Sequence, residues 1–214
     1  MTVPLITPEG ITEYFLTSDR QYRFARWGRP IVPVVFGVED QTLEVLKGAV
    51  EATVTLAGHK MAETDPELGA NLMVFFFRDW SELPAVPNLE RMVPGLTDLV
   101  ARLDAANATR YRTFRTDEEG AIKAAFVFIR VTDEVAEIPA DALSLSEAVQ
   151  TILIWGDGAF ESTSPLVLAD GVAVLRPEIA TLIRAAYDPM LPNAANDTAH
   201  ALRIYARVVT SNAS

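Results

Sequence analysis

The run Leu72–Phe77 (Leu-Met-Val-Phe-Phe-Phe), preceded by Asn71 and followed by Arg78, constrains the fold more than any other segment. It is too short for a self-sufficient helix and shows no polar alternation. Such a run reads as a strand buried inside a sheet. Residues 124–129 (Ala-Ala-Phe-Val-Phe-Ile) repeat the signal. They form the second arm of an expected hairpin: Thr109 to Arg115, an acidic turn at Asp117-Glu118-Glu119-Gly120, then Ala121 to Val131. The stretch Pro30 to Gly37 reads as a further buried strand, and Pro33 within it points to an edge or a bulge.

Helical spacing accounts for most of the rest. Leu43, Leu46, Val50, Val54 and Ala57 recur at intervals of three and four, predicting a helix from Asp40 to Ala57 that stops at Gly58. Further helices are expected from Leu96 to Ala106, from Ser144 to Trp155, from Pro177 to about Tyr187, and from a cap at Asn196-Asp197-Thr198 through Val208. Residues 1–29 read as irregular with one short helix near Ile11–Phe15, and residues 156–176 as a loop. The expectation is α+β, with helices packed on a mixed central sheet. With no repeat and no flexible linker, residues 1–214 are expected to form a single domain.

Composition narrows function by exclusion. Half the residues are hydrophobic and 22% are charged, as in a globular chain. The net charge of −11 disfavours nucleic acid as a partner. There is no apolar run long enough to span a membrane, and the segment Met1–Pro8 has no signal-peptide character. The absence of cysteine removes disulfides, cysteine-rich metal sites and thiol nucleophiles. No G-x-S-x-G, P-loop or Rossmann glycine pattern occurs, so no cofactor is expected.

The helix Ser144–Trp155 carries the most chemistry. Residues at i and i+4 share a helix face, which is why zinc peptidases place two histidines at that spacing around a general-base glutamate. Here Ser146 and Gln150 hold the spacing and Glu147 holds the base position. Serine and glutamine are poor zinc ligands, so no metal is expected. Ser144-x-x-Glu147 also fits a capping box, the role expected of Glu147 ahead of catalysis.

These residues, with Trp27 and Pro30 before the first strand, Ala70-Asn71 at the second, Asp157, Ser164-Pro165, Asp170 and Tyr187-Asp188-Pro189, resemble a bacterial zincin-like family of unknown function. In that family a Glu-x-x-Gln helix stands in place of H-E-x-x-H. The resemblance covers about residues 14–192, leaving 193–214 as a C-terminal helical extension. Ser146 and Leu153 depart from the family pattern, which has glutamate and glycine there. The resemblance implies a single zincin-like domain, an exported protein, and a cleft near Gln150, Asp157, Asp170 and Tyr187. It implies a scaffold rather than a reaction.

The leading expectation is therefore a non-catalytic module that binds a protein or peptide partner. One alternative is a hydrolase with Glu147 as base and an oxygen-ligand metal site from Gln150, Asp157 and Asp170. Another is a structural or assembly module of the cell envelope. Three further features are open to two readings. Arg20, Arg23, Arg26 and Arg29, with Tyr22 and Trp27 between them, form either an anion-binding strip or arginine stems paired with acids, and the second is expected. Arg110 and Arg112 share one strand face and are expected to pair similarly. His59 and His200 are not expected to meet.

Overall fold

The computed structural model describes residues 6–211. The signal-peptide expectation falls largely on residues 1–5, outside this range. The chain is α+β. Its central sheet has four strands in the order β2-β3-β5-β4. β2 (Pro33–Phe36), β3 (Leu72–Phe77) and β5 (Ile122–Arg130) run parallel, and β4 (Arg110–Thr116) lies antiparallel to β5 at one edge. Pro33 lies on the opposite edge, where the missing amide hydrogen is tolerated.

The apolar runs are explained by helices on both faces. Leu72, Val74, Ala125, Val127 and Ile129 point into one core. There they meet α2 (Asp40–Leu56), α6 (Ala140–Thr151) and α7 (Pro177–Ala186) through Leu46, Val50, Val149 and Ile183. The alternate residues Met73, Phe75, Phe77, Phe126 and Phe128 point into the other. That face is closed by a 3-10 helix at Trp80–Ala85, by α3 (Leu89–Met92) and by α4 (Leu96–Ala105). Phe75 and Phe128 stack at 5.4 Å, and Trp80 donates its indole hydrogen to Ala108 O at 2.9 Å. Each such fully buried large side chain contributes about 1.5–3 kcal/mol relative to exposure.

Residues 6–29 are less irregular than expected. α1 (Pro8–Glu13) starts three residues before the expected helix, with Thr7 as its cap. β1 (Phe24–Arg26) pairs antiparallel with β6 (Leu153–Ile154) and with β9 (Ala194–Ala195). This small sheet ties the end of α6 to both flanks of the chain. The expected loop at 156–176 contains a hairpin, β7 (Leu166–Ala169) and β8 (Val172–Leu175). Its tip is Asp170-Gly171, with both φ angles positive (51° and 82°), the two-residue turn that matches strand twist. A four-residue α5 (Asp133–Ala136) follows β5, and α8 (Ala199–Ser211) packs against α7 and α1.

The helix expected at Ser144 begins four residues earlier, at Ala140 after Pro139. Ser144 therefore lies inside the helix, where preceding carbonyls already serve its amides. The capping box with Glu147 does not form. No helix among the described residues is long and apolar enough to cross a membrane.

Candidate functional site at the free edge of the central sheet

Glu147 projects from α6 toward the sheet and is 2% exposed. Its Oε2 accepts from Arg112 Nε at 2.9 Å and Nη2 at 2.6 Å, and its Oε1 lies 3.3 Å from Arg110 Nε. Strand geometry puts Arg110 and Arg112 on one face, and that face looks onto α6. A buried carboxylate needs such partners, because removing an ion from water costs several kcal/mol. The capping role is replaced by an ion-pair clamp that fixes the edge strand over the helix.

The pair is not closed. Arg110 Nε and Glu147 Oε1 are buried without a well-directed hydrogen bond among the described residues. Arg112 Nη1 and both terminal nitrogens of Arg110 have none either, and the two side chains stay 20% and 30% exposed. They border a cavity of about 510 Å³ shared with Arg23, Gln150, Asp157 and Trp155. Arg23 is exposed and has no side-chain partner among the described residues.

The cavity's far wall is built by the turn after β6. Gly156 N donates to Tyr14 O at 2.7 Å, an approach that leaves no room for a side chain, since a Cβ there would lie 2.3 Å from Leu16 O. Asp157 Oδ2 accepts from Ser18 N at 2.7 Å. Trp155 stacks on Phe15 at 5.6 Å and meets Phe160 edge-on at 5.0 Å, while its indole donates to Val149 O. Two rigid aromatic walls thus face the arginine-bearing strand.

Above the cavity, the edge of β4 is unpaired among the described residues. Arg130 N donates to Thr109 O, which fixes the alternation of the antiparallel ladder. Tyr111 and Thr113 turn their amides and carbonyls toward β5. Arg110, Arg112 and Phe114 turn theirs outward. The same three residues direct their side chains to the α6 face.

The site residues expected from sequence separate into two groups. Gln150 and Asp157 reach this cavity. Gln150 Nε2 donates to Ser146 Oγ at 2.9 Å, so the two positions where zinc ligands would stand bond each other. Asp170 does not reach it, because it is the solvent-exposed tip of the β7–β8 hairpin. Tyr187 does not reach it either. Its hydroxyl donates to Ile152 O at 2.7 Å and accepts from Trp27 N at 3.3 Å, and burial pushes its pKa up. The oxygen-ligand metal site from Gln150, Asp157 and Asp170 is therefore not assembled. No group of three histidine, aspartate or glutamate side chains converges among the described residues. Ser146 and Gln150 on α6 do not fit a zinc ion.

Trp27, Arg26 and Tyr187 form a clasp at the end of α6. Trp27 donates its indole hydrogen to Thr151 O at 2.8 Å. Arg26, 7% exposed, donates to Asn193 Oδ1 and to the carbonyls of Ala186, Asp188 and Leu191 at 2.7–3.0 Å. Arg26 thus bonds an amide oxygen and carbonyls in place of the acid expected for it. Arg20 pairs with Glu13, and Arg29 with Asp65 and Glu67, as the acid-pairing reading required. His59 bonds Arg29 O and His200 bonds Tyr22, so the two histidines do not meet.

Sequence reasoning missed the cavity's main feature, the convergence of Arg23, Arg110 and Arg112. The signal was the i, i+2 arginine pair on an edge strand, which was read only as acid-paired. Comparison of the chain with protein-family models, with curated proteins and with solved structures finds no match.

Proposed function

We propose that this chain is a non-catalytic, zincin-like module of an exported protein that binds a protein or peptide partner as an added strand along β4. The observation that carries this reading is the position of Glu147. The one carboxylate placed as a general base is held as the counter-ion of Arg112 and Arg110, directly beneath an unpaired strand edge. A general base needs a free lone pair facing its substrate's proton. Here one oxygen is occupied by a guanidinium fork and the other is enclosed. The edge, by contrast, offers what strand addition uses: a row of outward amides and carbonyls with side-chain pockets beside it.

The edge is also long enough. β4 has seven residues and no proline, whereas β2 has four and begins with Pro33. Strand addition at β2 meets a missing amide hydrogen and a short ladder.

Display selection of random dodecapeptides on the purified chain, followed by hydrogen–deuterium exchange of the selected complexes, tests the proposal. Selected peptides are expected to slow exchange at the amides of Arg110, Arg112 and Phe114. Protection confined to other elements, or turnover of the selected peptides that is lost in Glu147→Gln, overturns it.

A further inference from the structure

Two subsites lie side by side under the free edge, and Arg110 borders both. The first is the 510 Å³ cavity with Arg23, Arg112 and Trp155. The second, about 300 Å³, lies between α6 and the β7–β8 hairpin and is lined chiefly by Leu143, Leu166, Leu168 and Ile138. Leu168 is 72% exposed and Val172 56%, so the hairpin presents apolar side chains without a cover among the described residues.

The chemistry of the two differs. On the strand side, the first cavity has the guanidiniums of Arg110 and Arg112 against the single buried carboxylate of Glu147, and Arg23 adds a third from the segment before β1. That wall is net positive in a chain whose net charge is −11. The cavity's own acids, Asp157 and Glu161, come from the loop after β6, and Asp157 is engaged by Ser18 N. A carboxylate entering from the strand side meets the free donors of Arg112 and Arg110, with the unpartnered Arg23 lining the same cavity, for charge-assisted bonds. Apart from Arg110 at its mouth, the second subsite offers only the hydroxyls of Ser146 and Ser164 beside its aliphatic lining, which suits an apolar side chain.

Ladder geometry links the subsites. In an antiparallel addition, residues directly opposite each other point to the same face, with Cβ atoms about 4.5–5.5 Å apart. A side chain opposite Arg112 enters the first cavity. The next residue on that face, two positions toward the peptide C-terminus, stands opposite Arg110 at the mouth of the second. Antiparallel pairing is also somewhat stronger per residue than parallel pairing.

Building on the strand-addition reading above, we propose that β4 selects an antiparallel peptide of the form acid-x-apolar, with the acidic side chain opposite Arg112 and the apolar one opposite Arg110. The partner is thus an acidic, extended segment of another protein.

The probe is acetyl-Thr-Val-Thr-Glu-Thr-Leu-Thr-amide, titrated calorimetrically against the whole chain. Replacing its glutamate by glutamine is expected to weaken binding about tenfold or more, as is replacing leucine by serine. The reversed order, Leu-x-Glu, is expected to bind as weakly as the doubly substituted peptide. In the protein, Arg23→Gln alters an exposed residue without a partner among the described residues. It is expected to weaken the glutamate peptide several-fold and leave the glutamine peptide unchanged. N-methylation separates the two levels of the argument. Methylating the glutamate amide, which faces β4, should abolish binding, while methylating the threonine after it should not. If both methylated peptides bind equally, edge addition itself is wrong. If the methylation pattern holds but glutamate and glutamine bind alike, the edge reading stands and the acid subsite falls. Tighter binding by a peptide whose free C-terminus replaces the glutamate side chain also overturns the side-chain assignment. A parent peptide that fails to bind, while display-selected peptides protect β4, overturns the acid-x-apolar rule alone.

Discussion

Two arginine sites flank α6, the buried Arg26 and the half-buried pair Arg110 and Arg112, and they differ in how completely they are used. At the end of the helix, Arg26 spends its guanidinium on Asn193 Oδ1 and three carbonyls, beside the Tyr187 ring. It fastens the turn after α7 to β1. At the middle of the helix, Arg110 and Arg112 share one carboxylate and keep donors free toward a cavity. The same residue type serves architecture where every guanidinium nitrogen is bonded and recognition where some are not. Burial alone does not separate the two roles, since Glu147 is as deeply buried as any member of the clasp. The count of unspent donors does.

The comparison can be broken at several points. The largest effect is expected for Arg26→Ala, which leaves three carbonyls and an amide oxygen without their donor. A loss of about 4 kcal/mol in urea unfolding is expected. If the loss is below about 1 kcal/mol, the clasp is not the architectural cluster.

Glu147→Gln keeps the shape and removes the charge. It is expected to cost about 3 kcal/mol, because two arginines then face a buried neutral group. The affinity for a glutamate-bearing peptide should rise in the same variant, since more positive charge faces the cavity. A fall in that affinity would show that the clamp positions the strand rather than balances its charge.

Acid titration sharpens the contrast with a site outside both clusters. His200 is buried against Phe24, with its Nδ1 3.0 Å from Tyr22 Oη. Burial, with the nearby charges of Arg203 and Arg26, pushes its pKa down to about 4. Its unfolded value is about 6.5, so between these limits the unfolded chain binds a proton that the folded chain refuses. Stability should therefore fall as pH drops from about 6.5 to about 4, by about 3 kcal/mol. His200→Gln should flatten that window. A separate loss is expected further down. Burial tends to raise the pKa of Asp65, but the amides of Leu68 and Glu67 with Asn71 and Arg29 outweigh it and hold the value at about 2. That stabilisation is present above about 3.8 and is lost as pH falls toward about 2. It should persist unchanged in the His200 variant.

Tyr187→Phe removes one hydroxyl bonded to Ile152 O and to Trp27 N, and should cost about 1–2 kcal/mol. The smallest effect is expected for Leu168→Ser on the exposed hairpin. It should change stability by less than about 0.5 kcal/mol while weakening binding of the leucine-bearing peptide.

The sheet was legible because its strands carry long, unambiguous patterns. Residues 72–77 and 124–129 are apolar on both faces, so no partner assignment was needed to place them inside. The helix at Asp40–Leu56 was legible from its spacing, and the start of α7 from Pro177. Strands of two or three residues, such as β1, β6 and β9, are too short to show a period, and only pairing across the chain creates them. The β7–β8 hairpin was a missed signal rather than a hidden one, since Asp170-Gly171 stands between two apolar runs. Glu147 shows the opposite case. Its spacing from Ser144 satisfies a local rule, but the helix starts at Ala140, and the competing partners lie 35 and 37 residues away in sequence on β4.

From its sequence alone, the chain settles the α+β class, the buried strands, most of the helices, and the absence of histidines at the two helix positions where a zinc peptidase would place them. Those properties rest on residue type and on spacing within one element. Tertiary structure alone decided that Glu147 is a counter-ion, that Asp170 and Tyr187 stand apart from Gln150 and Asp157, and that three arginines line one cavity beside an open strand edge. Each of those depends on which distant segments are brought within a few ångströms. Charge pairing and burial are set by that proximity, and no local pattern encodes it.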